Sequence, residues 1–105
     1  MPPAVPLPAV LRQPRLPAHF VYIVRCADNT LYTGYARDPA ARAAVHNSGR
    51  GATYTAGRRP VSLVYAEACE SHGEALRRER QLKRWSRARK DALIATVPPR
   101  PRHVG

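Results

Sequence analysis

The stretch VYIVRCADNTLYTGYARDPAARAAVH, Val21–His46, decides the fold of this 105-residue chain. Its first part, VYIVRC, is rich in β-branched and aromatic residues, and the turn-forming residues ADNT separate it from a second such run, LYTGY. Two runs of this kind joined by a short polar turn are typical of a β-hairpin. The sequence therefore predicts two antiparallel strands at the start of the domain.

A short helix with well-marked ends is predicted directly after the hairpin. Asp38 can cap the first free backbone amides, Pro39 suits the first helical position, and the next residues include four alanines. Asn47 to Gly49 supply the residues that end a helix.

The second half of the chain contains a loop, a strand and two helices. The polar, glycine-rich segment GRGATYTAGRRP is predicted to be a loop, and VSLVYAEA alternates well enough to form a third strand. Helices are expected over about 71–85 and 86–96. The order β-β-α-β-α-α predicts an α+β (mixed α/β) fold, with a small three-stranded antiparallel sheet flanked by helices.

Proline marks the limits of the folded unit. Nine of the eleven prolines lie in residues 2–17 or 98–101. Residues 1–17 and 98–105 are therefore predicted to be disordered tails, and residues 18–97 a single domain.

The charge of the chain indicates a polyanionic partner. Eighteen Lys and Arg stand against seven Asp and Glu, for a formal net charge of +11. A chain this basic repels itself unless a polyanion neutralises it, so DNA, or RNA, is the first partner to expect. A basic soluble protein or a ribosome-associated protein is the plain alternative.

The remaining composition argues for a reduced compartment and no membrane. Cys26 and Cys69 are too few and too far apart for a metal knuckle or a disulfide framework, so they are expected to be buried thiols. Prolines interrupt the apolar residues of the N-terminus, which is unlike a targeting signal. We expect a cytoplasmic protein, either a monomer or a weak dimer.

The length of the hairpin turn decides whether two tyrosines can act together. A two-residue turn, Asp28–Asn29, would place Tyr22 and Tyr32 on opposite faces of the sheet, because side chains alternate along a strand. A three-residue turn, Asp28–Thr30, would place both on one face, where Gly34 leaves space beside them. Strand tyrosines are commonly packing residues, so both interpretations stay open at this stage.

Arg42 and His46 are one helical turn apart on a helix that is otherwise alanine and valine. An arginine fork fits phosphate oxygens, and a histidine can carry a proton near neutral pH, which suits phosphodiester chemistry. A solvated helix face with a chance histidine is the alternative.

Glu79 lies on the apolar arc of the helix EALRRERQLKRW. An inward carboxylate needs a cation or hydrogen bonds to be stable there. A functional role and an ordinary helical pair with Lys83, four residues on, are equally good interpretations.

Taken together, these residues resemble the GIY-YIG nuclease superfamily, and in particular its small stand-alone bacterial members. The resemblance covers about Phe20 to Ala95: FVY stands for the first motif, although Phe20 replaces its glycine, and YTG stands for the second. It implies a metal-dependent endonuclease that hydrolyses phosphodiester bonds of DNA, selects by substrate structure and serves DNA repair or processing. The implied catalytic residues are Tyr22, Tyr32, Arg42, His46 and Glu79.

The same resemblance implies one divalent cation, Mg²⁺ or Mn²⁺, bound through Glu79. Tyr22 is then the expected base toward water, Tyr32 and His46 assist the proton transfer, and Arg42 binds the charge that grows on the phosphate.

Residues expected to hold the nucleic-acid backbone come from the loop beside the site and from the basic helices. These are Arg50, Tyr54, Arg58, Arg59, Arg77, Arg80, Lys83, Arg84 and Arg87. Tyr54 is expected either to stack on a base or to pack within its loop. The rival functions are a nucleic-acid-binding protein with this fold but little cleavage, and a structural RNA binder.

Overall fold

A computed structural model describes residues 18–97 of the chain. The predicted tails, 1–17 and 98–105, lie outside the described residues and stay predictions. The elements in chain order are β1 (His19–Arg25), β2 (Leu31–Ala36), α1 (Pro39–Asn47), α2 (Thr53–Ala56), β3 (Ser62–Cys69), α3 (His72–Lys83) and α4 (Arg87–Ile94). The predicted α+β fold with a three-stranded antiparallel sheet is confirmed, and α2 is the one addition to the predicted order.

The three strands pair in the order β2-β1-β3, so β1 is central and its residues 21–24 are fully buried. Helices cover both faces of the sheet. Ala43 of α1 packs on the face that carries Tyr22 and Val24. On the opposite face, a cluster around Val21 includes residues of α3 and α4. The strand order leaves β2 and β3 as the two edge strands.

The hairpin turn contains three residues, Ala27 to Asn29. The Cys26 N–H donates to the Thr30 carbonyl at 2.8 Å, and Asn29 takes the left-handed conformation with φ 70°. A three-residue turn with its last residue in this region is a common hairpin connection, and asparagine tolerates that conformation. The turn begins one residue earlier than predicted but has the predicted length, so the predicted assignment of side chains to faces is correct.

Side-chain caps begin the three longer helices where the sequence predicts them. The Asp38 carboxylate accepts from the Ala41 N–H at 3.0 Å. Ser71 and Ser86 accept in the same way from N–H groups three residues on, at 3.0 and 3.2 Å. Such caps satisfy amides that have no partner inside the helix. Gly49, with φ +88°, follows the end of α1 in the conformation that favours glycine.

The segment between α1 and β3 is more ordered than a predicted loop. It contains α2, and its exit is held by the Asn47 side chain, which accepts from the Val61 N–H at 2.7 Å and donates to the Val61 carbonyl at 2.9 Å. One helical turn is too short to produce a periodic pattern, which explains why the sequence did not predict it.

Two further expectations concern the whole of the described region. Cys26 and Cys69 are both buried and unpaired, as predicted. Among residues 18–97, every helix is too short and too polar to cross a bilayer.

Candidate active site

The hairpin register brings two phenols to the same face of the sheet. Tyr22 pairs with Gly34 and Val24 with Tyr32 across the β1–β2 ladder. The rings of Tyr22 and Tyr32 are consequently 6.5 Å apart between centroids. The two-residue turn, which would have separated them, is wrong.

Gly34 makes room for the Tyr22 hydroxyl. A Cβ atom at position 34 would lie 2.6 Å from the Tyr22 oxygen and 2.7 Å from Cζ, far inside van der Waals contact. Tyr22 is only 1% exposed, so its ring has little freedom to move away. The second motif therefore needs glycine because the phenol of the first motif occupies the space above it.

Helix α1 brings His46 against the same phenol. Its Nε2 atom is 2.8 Å from the Tyr22 hydroxyl oxygen, and the imidazole is 2% exposed. His46 is thus a buried partner of Tyr22 and does not belong to a solvated helix face. Arg42, one turn earlier, is exposed; its Nη1 donates a long hydrogen bond of 3.4 Å to the Tyr35 carbonyl, and its guanidinium also interacts with the Tyr22 phenol. Its guanidinium therefore remains available to an anion at the mouth of the site.

The α2 segment holds the other nitrogen of His46. The Nδ1 atom is 2.8 Å from the Thr55 hydroxyl oxygen, and Thr55 is fully buried. That hydroxyl donates its single hydrogen to the Ala52 carbonyl at 2.9 Å, so it accepts from an Nδ1–H. The Ala52 N–H also approaches Nδ1, but at 3.4 Å this is the weakest of the three contacts. The shorter pair favours the tautomer in which Nε2 carries the lone pair and Tyr22 donates to it.

Gly51 allows this close approach of α2 to the imidazole. A Cβ at position 51 would overlap the His46 Nδ1 atom and lie 2.8 Å from its Cα. Thr55 and Gly51 are the two residues of the site that sequence reasoning missed. A glycine inside a polar loop signals a possible close approach, whereas nothing local marks Thr55.

The pKa of Tyr22 is influenced by the charges of Arg42 and Glu79. Burial raises the pKa of Tyr22 to about 12; the Tyr32 phenol and, more weakly, the Glu79 carboxylate also raise it, while the Arg42 guanidinium lowers it. Burial, followed by the charge of Arg42, lowers the pKa of His46. Because such influences weaken with distance, the buried phenol lies within range of both the guanidinium and the carboxylate.

Glu79 forms the helical pair that the sequence offered as one of two interpretations. It lies on α3 with its side chain 17% exposed, and its Oε2 atom is 3.0 Å from the Nζ atom of Lys83. The same carboxylate weakly raises the pKa of Tyr22, so it lies within electrostatic range of that phenol. A functional role for Glu79 stays a prediction.

A divalent cation fits the Glu79 position only as a site with one protein ligand. Residues 18–97 contain no group of three or more His, Cys, Asp or Glu side chains that could hold a metal. Mg²⁺, however, keeps several of its waters and commonly uses one or two carboxylates together with substrate phosphate oxygens. A largely buried carboxylate within electrostatic range of the same phenol as the Arg42 guanidinium suits that pattern.

The predicted backbone-binding residues fall into three groups. Arg58 and Arg59 have protein partners: Arg58 pairs with Asp28 at 3.1 Å, and Arg59 donates to the Ala56 carbonyl at 2.8 Å. Arg87 pairs with Asp91 at 3.0 Å, as Lys83 does with Glu79. In the described part of the chain, the side chains of Arg50, Arg77, Arg80 and Arg84 are exposed and form no ion pair.

Tyr54 packs against its neighbours in a stacked arrangement. Its ring is 6.0 Å from the Tyr32 ring at 25°, and the Arg58 guanidinium lies 3.9 Å from its centroid. The ring is 38% exposed. Tyr54, Tyr32, Lys83 and Lys90 are among the residues that line one cavity of about 240 Å³ beside the free edge of β2. Through Tyr32, this cavity adjoins the cluster of Tyr22 and His46.

An antiparallel sheet between helices, with a tyrosine pair beside a buried histidine, is the arrangement expected from the resemblance to the class of GIY-YIG proteins. The GIY-YIG catalytic domain matches residues 18–92, and the chain belongs to this family of endonucleases.

The chain is also similar to bacterial relatives and to solved structures. A UPF0213 protein of Staphylococcus aureus is 56% identical over 77 residues, which is 73% of this chain and 94% of that protein. A solution NMR structure of an E. faecalis protein is 36% identical, covers 81% of this chain and 94% of that one, and has a TM-score of 0.52. A UPF0213 protein from Bacillus halodurans, also solved by NMR, is 45% identical over 74% of this chain and 83% of that one, with a TM-score of 0.49.

Proposed function

We propose that this protein is a metal-dependent nuclease that hydrolyses phosphodiester bonds of DNA, selects its substrate by structure and acts in DNA repair or processing in the cytoplasm. The observation that carries the proposal is the hydrogen bond of 2.8 Å between the Tyr22 hydroxyl and the His46 imidazole, with Arg42 and Glu79 in electrostatic range of the phenol. A phenol, an imidazole, a guanidinium and a carboxylate around one point supply the groups that phosphodiester hydrolysis requires.

The pKa of Tyr22 makes a free phenolate rare at neutral pH, so the proton has to move in concert. In the favoured tautomer the Tyr22 hydroxyl already donates to Nε2 of His46. As the phenol oxygen takes a proton from the attacking water, it can release its own proton to the imidazole, and it never has to carry a full charge. Tyr32, whose ring lies 5.2 Å from that of His46, would orient the water.

Arg42 would bind the non-bridging phosphate oxygens, where charge grows in the transition state. Glu79 would hold the divalent cation, Mg²⁺ or Mn²⁺, which when bound supplies Lewis-acid activation of the phosphate and stabilises the leaving 3′ oxygen. The negative charge of the incoming phosphate also offsets the effect of Arg42 on His46, and so helps the imidazole to accept a proton.

A set of basic residues together with Tyr54 would hold the nucleic-acid backbone. The residues proposed for this role are Arg50, Tyr54, Arg58, Arg59, Arg77, Arg80, Lys83, Arg84 and Arg87. Contacts of this kind give affinity that falls steeply with salt and carries little sequence information. They suit recognition of shape by a protein that acts as a monomer or weak dimer.

The proposal is tested by a cleavage assay on labelled branched, single-stranded and duplex DNA, with and without Mg²⁺ or Mn²⁺. We expect metal-dependent cleavage by the parent chain, and a loss of roughly 100-fold or more for Tyr22→Phe and for Glu79→Ala. Equal cleavage by the parent and both variants would mean that a contaminant cuts the DNA, and the proposal would fail.

A second candidate, a nucleic-acid-binding protein with little cleavage, is favoured by the nearly complete burial of Tyr22 and by the Lys83 partner of Glu79. DNA retention by the parent chain without metal-dependent products would select it.

A further inference from the structure

Helix α3 carries a second cationic surface on the side that faces away from the sheet. Between α3 and the start of α4 lies a groove of about 550 Å³, here called the α3–α4 groove. Its lining residues are Arg77, Arg80, Gln81, Arg84, Trp85 and Arg89. It has no acidic lining residue and shares none of its residues with the cavity beside β2.

The four arginines of the groove have no acidic partner in the described part of the chain. All four are exposed. Within residues 18–97, their guanidinium groups form no ion pair and donate no hydrogen bond to a protein acceptor. Four cations this close repel one another, so the groove as it stands is complementary to an anion. Guanidinium forks match the oxygens of phosphate in particular.

Trp85 forms the rigid base of the groove. Its half-buried indole packs on the hydrophobic cluster of Val21, Ala75 and Leu82. The Arg89 guanidinium lies 4.0 Å from the indole centroid, and Arg78, which is anchored to Glu67 at 2.9 Å, lies 5.2 Å from it. With guanidinium groups over its ring, the indole positions cations and offers little room for a stacked base. The groove therefore suits a sugar–phosphate backbone.

The groove and the catalytic residues are separated by the body of α3. Ala75 and Leu82 are fully buried and define the inward side of this helix. At about 100° per residue, Glu79 lies on the flank next to that side, whereas Arg80 and Arg84 point outward. Two anion-binding positions are thus divided by a helix roughly 10 Å across.

We propose that the α3–α4 groove binds a second sugar–phosphate segment of the substrate while the catalytic pocket holds the scissile phosphate, so that the enzyme selects nucleic acids that branch or fold back at the site. A linear duplex offers its two backbones only at the fixed separation of its grooves. A junction or flap supplies two backbones that diverge at one point. The inference rests on the proposed nuclease function, and it names the substrate class.

The test measures binding without cleavage. The full chain carrying Glu79→Gln is titrated, by fluorescence anisotropy, into a branched DNA and into a linear duplex with the same number of phosphates. The variant Arg80→Ala/Arg84→Ala is compared with Arg25→Ala/Arg37→Ala, which removes the same charge outside the groove. Alanine is a good helix former, so the groove variant is expected to keep its fold, and circular dichroism checks this.

We expect the groove variant to bind the branched DNA roughly 10-fold more weakly or worse, with a salt slope lower by about 2. Its affinity for the linear duplex should change by less than about threefold, as should the affinity of the control variant for both DNAs. Equal losses on branched and linear DNA, no loss on either, or the same losses in the control variant would each overturn the proposal.

The outcome is independent of catalysis. Cleavage is assayed separately with the chain that retains Glu79. Branch-selective loss of binding without any cleavage by that chain would refute the nuclease proposal and leave the groove as a binding site. Cleavage that is unaffected by branching, together with unchanged binding by the groove variant, would refute the groove alone.

Discussion

The Tyr22 hydroxyl oxygen and the Nε2 atom of His46 are 2.8 Å apart in the buried layer between β1 and α1. The two residues are separated by 24 positions in the chain. The hairpin register and the N-cap of α1 together set this distance. Almost every property of the candidate site depends on this contact, because it decides where the proton of the phenol can go.

Thr55 is expected to act as a positioning residue for that proton. In Thr55→Val the Nδ1–H of buried His46 loses its acceptor, which should lower the free energy of unfolding by about 1–3 kcal/mol. The imidazole is then no longer held in one tautomer. We expect the ¹⁵N shifts of the His46 ring to change and cleavage to fall, while Thr55→Ser restores both. Unchanged ring shifts in Thr55→Val would show that the hydroxyl does not fix the tautomer.

Gly34→Ala is expected to displace the Tyr22 phenol. The new Cβ would lie 2.6 Å from the hydroxyl oxygen, and the overlap should lower the free energy of unfolding by about 1–3 kcal/mol and reduce cleavage at least 10-fold. Gly57→Ala is the matched control, because a Cβ there meets no atom within 4 Å. Urea denaturation and the cleavage assay measure the two effects. If both alanine variants behave alike, the space above Tyr22 is not the reason for glycine at position 34.

Alkaline pH is expected to destabilise the fold through Tyr22. Its pKa is about 12 in the folded protein against a reference of 10.0, so between these values the folded state binds more protons than the unfolded state. The contribution of Tyr22 to the free energy of unfolding is therefore fully present below pH 10. It falls by roughly 2–3 kcal/mol as the pH rises toward 12.

Urea denaturation between pH 8 and 11 should show this loss, and Tyr22→Phe should show less of it. The ionisation of Tyr65 has to be controlled for in the same way. Burial raises the pKa of Tyr65 to about 12 as well, so this phenol also contributes to the loss of stability at alkaline pH. A Tyr22→Phe variant with the same alkaline slope as the parent would assign the whole effect to other groups.

Lys83 is expected to compete with the divalent cation for Glu79. Its ammonium is 3.0 Å from the carboxylate and its side chain is 51% exposed, so the ammonium can move into solvent at little cost in desolvation. Lys83→Met should tighten Mn²⁺ binding about two- to fivefold, the equivalent of a weak ion pair. Water-proton relaxation measures the affinity in the absence of substrate. Lys90→Met, in the same cavity, should have a smaller effect, and weaker binding in Lys83→Met would contradict the competition.

The fold and most of the site could be predicted from local chemistry. The caps at Asp38, Ser71 and Ser86 and the β-branched run of β1 are signals that a few neighbouring residues produce by themselves. Whether Tyr22 and Tyr32 share a face depends only on whether the hairpin turn has two or three residues. These features are local, which is why the sequence contains them.

What could not be predicted depends on contacts between distant segments. The buried position of His46 arises from the packing of α1 and α2 around it, since its own helix is mostly alanine. Thr55 reaches the imidazole because Gly51 allows the segment to approach, and no periodic pattern records this. Likewise, the sequence showed basic residues on α3, but it did not show that Trp85 gathers them into a groove.

The turn at residues 27–29 has a consequence for how the sheet could misfold. If the pairing of β2 along β1 slipped by one residue, every side chain of β2 would turn over and the Tyr32 phenol would reach the α3 face. A change of loop length that left the pairs Tyr22–Gly34 and Val24–Tyr32 in place would keep both phenols together. The ladder between these strands, more than the number of residues in the connection, is therefore what a variant of this chain has to preserve.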